Sequence, residues 1–70
     1  MRKLKINEKE LEDAIREIAY LNPLGIDIRT LKKELERRNL KASPQIIRRN
    51  LLKLVKDKKI SIQHGKAHNN

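Results

Sequence analysis

Gln45, Arg48, Arg49, Lys53 and Lys56 follow Ser43-Pro44 at intervals of mostly three and four residues. On a helical projection of 100° per residue, Gln45, Arg49, Lys53 and Lys56 fall on one side with Arg48 at its border. Ile47, Leu51 and Leu54 fall on the other. Such a row suits flat hydrogen-bonding edges and polyanions. An Arg guanidinium is a two-pronged donor for guanine O6 and N7, a Gln amide matches an adenine edge, and Lys is a point charge for phosphate. The competing explanation is a solvated basic helix face with no partner. Two residues fit the division poorly. Leu52 falls on the cationic side, where it would meet a thymine methyl or a second protomer. Ile46 falls at the edge, within reach of the first helix.

A second cationic set precedes the row: Lys32, Lys33, Arg37, Arg38 and Lys41. Glu34 and Glu36 offset part of it, and Glu34–Arg38 has the i,i+4 spacing of a stabilising pair. Other chemistries find little support. His64 and His68 are four apart in an expected turn with no cysteine in the chain, so no metal site is expected. No nucleophile–base arrangement and no glycine-rich phosphate loop is present, so neither an enzyme nor a cofactor is expected. Tyr20 is the sole aromatic residue, which removes the base-stacking modules that read single strands.

The elements that position these residues can be read from periodicity and punctuation. Residues 1–6 are a basic arm. Asn7 suits an N-cap with Glu10 in the capping-box position, and helix 1 is expected over 8–21, with Leu11, Ala14, Ile15, Ile18 and Leu21 on its core face. Tyr20 points off that stripe, as a surface ring or a dimer contact. Asn22-Pro23 ends the helix. Ile26-Asp27-Ile28 alternates and predicts a short strand over 26–28, pairing with Ile60-Ser61-Ile62; the alternative makes Asp27 the N-cap of a helix that begins at Ile28. With the strand, helix 2 covers 30–39, with Leu31 and Leu35 inward and Leu40 plugging the turn. Ser43-Pro44 is a strong start signal for helix 3 over 44–58: the hydroxyl accepts an orphan amide, and proline has none to leave unpaired. Ser43 is also placed in the expected nucleic-acid contact set. His64-Gly65 can reverse the chain.

Seventy residues suffice for one small domain with a modest core and no disulfide. The charge is unevenly spread. Residues 1–28 hold five Lys/Arg against six Asp/Glu, a net of −1, and residues 29–70 hold thirteen against three, a net of +10. A basic excess confined to one half is the footprint of a polyanion binder; the bland reading is the Lys-rich surface of a thermophile protein. No apolar run has the length of a membrane span, and the first residues lack the apolar stretch of a secretory signal, so the expected location is cytoplasmic, nucleoid-associated if DNA is bound.

The string GIDIRTLKKELERRNLKASPQIIRRNLLKLVKDKKISIQ resembles the winged-helix branch of the helix-turn-helix superfamily. The likeness is one of element order and residue types over about residues 8–65. It implies a mainly α fold, a three-helix winged helix-turn-helix with a short two- or three-stranded β element. It also implies binding of double-stranded DNA, often as a homodimer, in a transcription regulator or a nucleoid or replication accessory protein. By that resemblance Gln45, Arg48 and Arg49 lie at the major groove and Lys66 lies on the wing. Lys53, Lys56, Lys32, Lys33, Arg37 and Lys41 would neutralise phosphates. The size and basic architecture look like small archaeal, viral or plasmid DNA-binding proteins, or a designed binder. The departure is Lys66-Ala67-His68-Asn69-Asn70, which lacks the apolar residues of a returning wing strand. A short or incomplete wing over 60–70, with an open edge on Ile60–Gln63, is therefore expected. A protein-interaction winged helix and a structured-RNA or ribosome-associated binder are the competing functions.

Overall fold

The computed structural model describes residues 7–70, so the expected basic arm at 1–6 lies outside the described residues. The fold is mainly α with a small antiparallel hairpin. The order is α1 (Glu8–Tyr20), α2 (Ile28–Arg37), α3 (Pro44–Lys56), β1 (Ile60–Gln63) and β2 (Lys66–Asn69).

Each helix starts on a side chain that accepts an orphan backbone amide. Asn7 accepts from Lys9 N and Glu10 N at 3.0 and 3.2 Å, Asp27 from Thr30 N at 2.8 Å, and Ser43 from Ile46 N at 3.3 Å. The Asp27 cap corrects the expected strand at 26–28: α2 begins at Ile28, two residues before Thr30. Three alternating residues fit either form, and the carboxylate over the first turn decides for the helix. Ile26 alone keeps an extended pairing, and with Ala67, not with β1: Ile26 N donates to Ala67 O at 3.0 Å and Ala67 N to Ile26 O at 2.8 Å.

The helix ends also fall short of expectation. α1 stops at Tyr20, where the Asn22 amide donates to Ile18 O at 2.7 Å. Leu21, expected in the core, is exposed, because it lies at the edge of the buried stripe with no further turn of helix to cover it; Ala19 at the opposite edge is buried instead. α2 ends at Arg37, not at residue 39. Asn39 takes a left-handed conformation (φ 62°), its N–H donates to Glu36 O at 3.0 Å, and Leu40 N donates to Leu35 O at 2.9 Å. Asn tolerates that conformation, and the buried Leu40 closes the motif onto the core. α3 ends at Lys56, not at 58, in the same way: Lys58 has φ 62° and Lys59 N donates to Leu54 O at 2.9 Å.

The core lies where the three helices meet. Leu11, Ile15 and Ile18 of α1 pack with Leu31 and Leu35 of α2 and Ile47, Leu51 and Leu54 of α3, while Ile26, Ile60 and Ala67 close the end toward the hairpin. Each large aliphatic taken wholly out of water contributes about 1.5–3 kcal/mol before the entropy of ordering is set against it.

The polar tail forms a full second strand, which corrects the expectation of an incomplete wing. Ile60 pairs with Asn69, Ser61 with His68, Ile62 with Ala67 and Gln63 with Lys66. His64 and Gly65 turn the chain with φ 53° and 74°, the pair of positive angles that a two-residue hairpin turn uses to match strand twist. β2 lies between β1 and Ile26, so its backbone is hydrogen-bonded on both sides and Ala67 is the one side chain it must bury. Asn70 fastens the end: its amide donates to Lys58 O at 3.0 Å, its backbone N–H to Lys59 O at 3.1 Å, and its side-chain oxygen accepts from the Ser61 hydroxyl. Among the described residues, no helix is long and apolar enough to cross a membrane.

Candidate nucleic-acid interface

α3 buries Ile47, Asn50, Leu51 and Leu54. At 100° per residue, the direction opposite to these four is occupied by Gln45, Arg49, Leu52 and Lys56, and all four are exposed. The helix contains no Asp or Glu. Among the described residues, no carboxylate lies within ion-pair distance of Arg48, Arg49 or Lys56. Two expected members of the row flank it. Arg48 turns toward the hairpin, where it lines an apolar groove of about 250 Å³ with Ile26, Ile28, Leu51, Leu52, Ile62, Gly65 and Ala67. Lys53 turns toward α1, where its Nζ lies 3.1 Å from Glu12 Oε2. The hydrogen bond and charge of Glu12 hold the Lys53 ammonium above its ordinary pKa.

The cations around α2 are similarly divided. Lys32 Nζ is 2.6 Å from Glu36 Oε2 and lowers the Glu36 pKa. Arg37 lies 3.6 Å from Glu34. The expected Glu34–Arg38 pair does not form, because Arg38 crosses to α1 and bonds Glu17 at 2.8 Å. Lys33 and Lys41 are exposed without an ion pair among the described residues. Lys66, at the head of β2, is exposed and near enough to Asp27 to help lower its pKa, after the Thr30 hydrogen bonds and Arg29. Ser43 is exposed but its oxygen is engaged as the α3 cap.

The structure therefore brings together Gln45, Arg49 and Lys56 on one face with Arg48 at its hairpin flank, and ties Lys53, Lys32 and Arg37 to carboxylates. Comparison with protein-family models, with curated proteins and with solved structures gave no match. The face can donate hydrogen bonds through Gln45 and two guanidiniums, attract anions, and present one large aliphatic side chain, Leu52.

Sequence reasoning missed the groove beside Arg48, since Ile28 of α2 and Ile62 of the hairpin reach α3 only in the folded chain. It also passed over Asn50, which is 3% exposed, donates Nδ2 to Ile46 O at 2.9 Å, and has a buried Oδ1 with no partner. The signal was present: residue 50 stands three after Ile47 and four before Leu54, squarely in the buried stripe.

Proposed function

We propose that the chain binds double-stranded DNA, with α3 as the reading helix. The observation that carries this reading is the outward row of Gln45, Arg49 and Lys56, flanked by Arg48, on a helix without a carboxylate. The arrangement of a short helix, a connection over 38–43 and a second helix with a cationic outer face suits a major groove, with Arg48, Arg49 and Gln45 at base edges and Lys56 at phosphate. Lys33 and Lys41, and Lys32 and Arg37 once released from Glu36 and Glu34, supply phosphate contacts from α2 and the turn after it. Lys66 supplies one from the hairpin. The role that fits is a regulator or a nucleoid or replication accessory protein in the nucleoid, acting as a monomer or a homodimer, without catalysis.

Fluorescence anisotropy on random duplex DNA across a salt series tests this. The expected result is binding whose log–log slope against salt is about −0.9 per phosphate contacted, with duplex RNA failing to displace the DNA. No binding at low salt would end the reading, and displacement by RNA would transfer it to a structured-RNA binder. A protein-contact role has one observation in its favour: Tyr20, Leu21 and Leu24 are exposed around the end of α1, Leu24 to 87%. In that case binding to nucleic acid would be absent and Leu24→Ser would abolish partner capture or self-association.

A further inference from the structure

We infer that Leu52 reads the C5-methyl group of thymine, so that the α3 face selects thymine-containing duplex DNA. The inference rests on the duplex-binding reading and adds the base that the face requires. Leu52 is 63% exposed in the middle of the outward row, three residues after Arg49 and four before Lys56. A large aliphatic side chain among cations has no electrostatic use there. Against a phosphate or a polar base edge it would strip water from groups it cannot hydrogen-bond. The major groove offers it one complement of matching size, the thymine methyl, because the rest of its floor is donors, acceptors and the small C5–H of cytosine.

Leu52 also has support behind it. Ile62 of the hairpin, itself half exposed, and Leu51 line the same groove, so a methyl group lying against Leu52 enters an apolar surface and not an isolated side chain. The flank of that groove is formed by Arg48, with Arg49 and Lys56 beside it on α3. An apolar protein segment seated there would bury cations without partners, whereas DNA meets each with a phosphate or a base acceptor. Duplex RNA fits poorly on two counts: uracil lacks the methyl, and the A-form major groove is too narrow for the helix. The rise of an α-helix places Leu52 about 10 Å along the axis from Gln45, the height of about three base-pair steps. The thymine therefore lies within about three base pairs of the base that Gln45 reads.

The test removes the methyl and nothing else. Short duplexes selected from a random pool are rebuilt with deoxyuridine in place of every thymidine, and both forms are titrated with the wild-type protein and with Leu52→Ala. The wild type is expected to bind the uracil form about fourfold more weakly for each methyl contacted, the worth of one buried carbon. Leu52→Ala is expected to bind the two forms equally, with the wild-type salt slope on both and unchanged thermal unfolding. Equal wild-type binding to both forms, with the steep salt dependence intact, would overturn the thymine inference and leave duplex binding standing. Discrimination that survives in Leu52→Ala would also overturn it, since another side chain would then be reading the methyl. Absence of binding to either form would remove the duplex reading and this inference with it.

Discussion

The imidazole of His68 lies over Gly25 so closely that a Cβ at residue 25 would stand 2.6 Å from both Cε1 and Nε2 of the ring. Gly25 also has φ 95°, an angle that L side chains rarely adopt. Gly25→Ala is therefore expected to destabilise the fold by about 2 kcal/mol, part from strain and part from the clash. The double variant with His68→Ala should relieve the contact with the ring and leave the strain and the 2.9 Å approach to Lys66 Cβ. Urea denaturation of the two single variants and the double variant measures the coupling, and simple additivity would show that the ring does not constrain the glycine.

Asn50→Leu is expected to stabilise the protein. It removes a buried carbonyl oxygen without a partner, whose desolvation costs about 1–3 kcal/mol, in exchange for one bond to a carbonyl already in the helix. The side chains are of similar size and branching. A net gain of about 1 kcal/mol would raise the unfolding midpoint by about 4–8 °C, readable by circular dichroism. A fall in midpoint would mean that Oδ1 has a partner in solution.

Arg49→Ala is expected to weaken binding to a selected duplex by about 1–3 kcal/mol and to relax preference at one base pair, with a smaller effect on random DNA. Equal losses on both would assign Arg49 to phosphate.

Glu12→Gln should release Lys53 from its partner without disturbing the α1 core, because Glu12 lies at the margin of that helix's buried face. The freed ammonium gains a phosphate within reach, so the salt slope on random duplex should steepen by about one unit and affinity at low salt should rise. An unchanged slope would place the Lys53 side of α3 outside the contact.

Asp27 gives the pH dependence a direction. The Thr30 hydrogen bonds and the nearby Arg29 and Lys66 charges lower its carboxyl pKa in the folded state. A group depressed on folding contributes stability above its unfolded pKa and loses it as pH falls through the folded value, so the contribution fades below about pH 4. Asp27→Asn keeps a capping oxygen and removes the titration. Acid unfolding of the variant should therefore be shallower in that window, with the Asp27 carboxyl in the wild type titrating below the ordinary aspartate value by NMR.

The parts of this fold that were legible in the sequence are those decided within one turn of chain. Asn7 and Ser43-Pro44 announced two helix starts, and Leu31, Leu35, Ile47, Leu51 and Leu54 gave their faces by spacing. Ile26-Asp27-Ile28 was ambiguous, because three residues cannot separate a strand from a cap. β2 was obscured by its polarity: a strand bonded on both edges, with one small side chain to bury, needs no apolar alternation. For the candidate site, the residue types and the outward face of Gln45 and Arg49 were readable. The capture of Lys53 by Glu12 and of Arg38 by Glu17 was not, since each joins helices whose relative placement is a tertiary outcome.

The double pairing of β2 has a mechanical consequence. Ala67 is clamped to Ile26, and the residue after Ile26 is the one that caps α2. The hairpin is thus geared to the start of α2 through a single peptide unit and cannot swing as an independent flap. A load applied at His64-Gly65 would be felt at Asp27 as well as at α3, and a cut that removed β2 would unseat the start of the second helix as well as the hairpin.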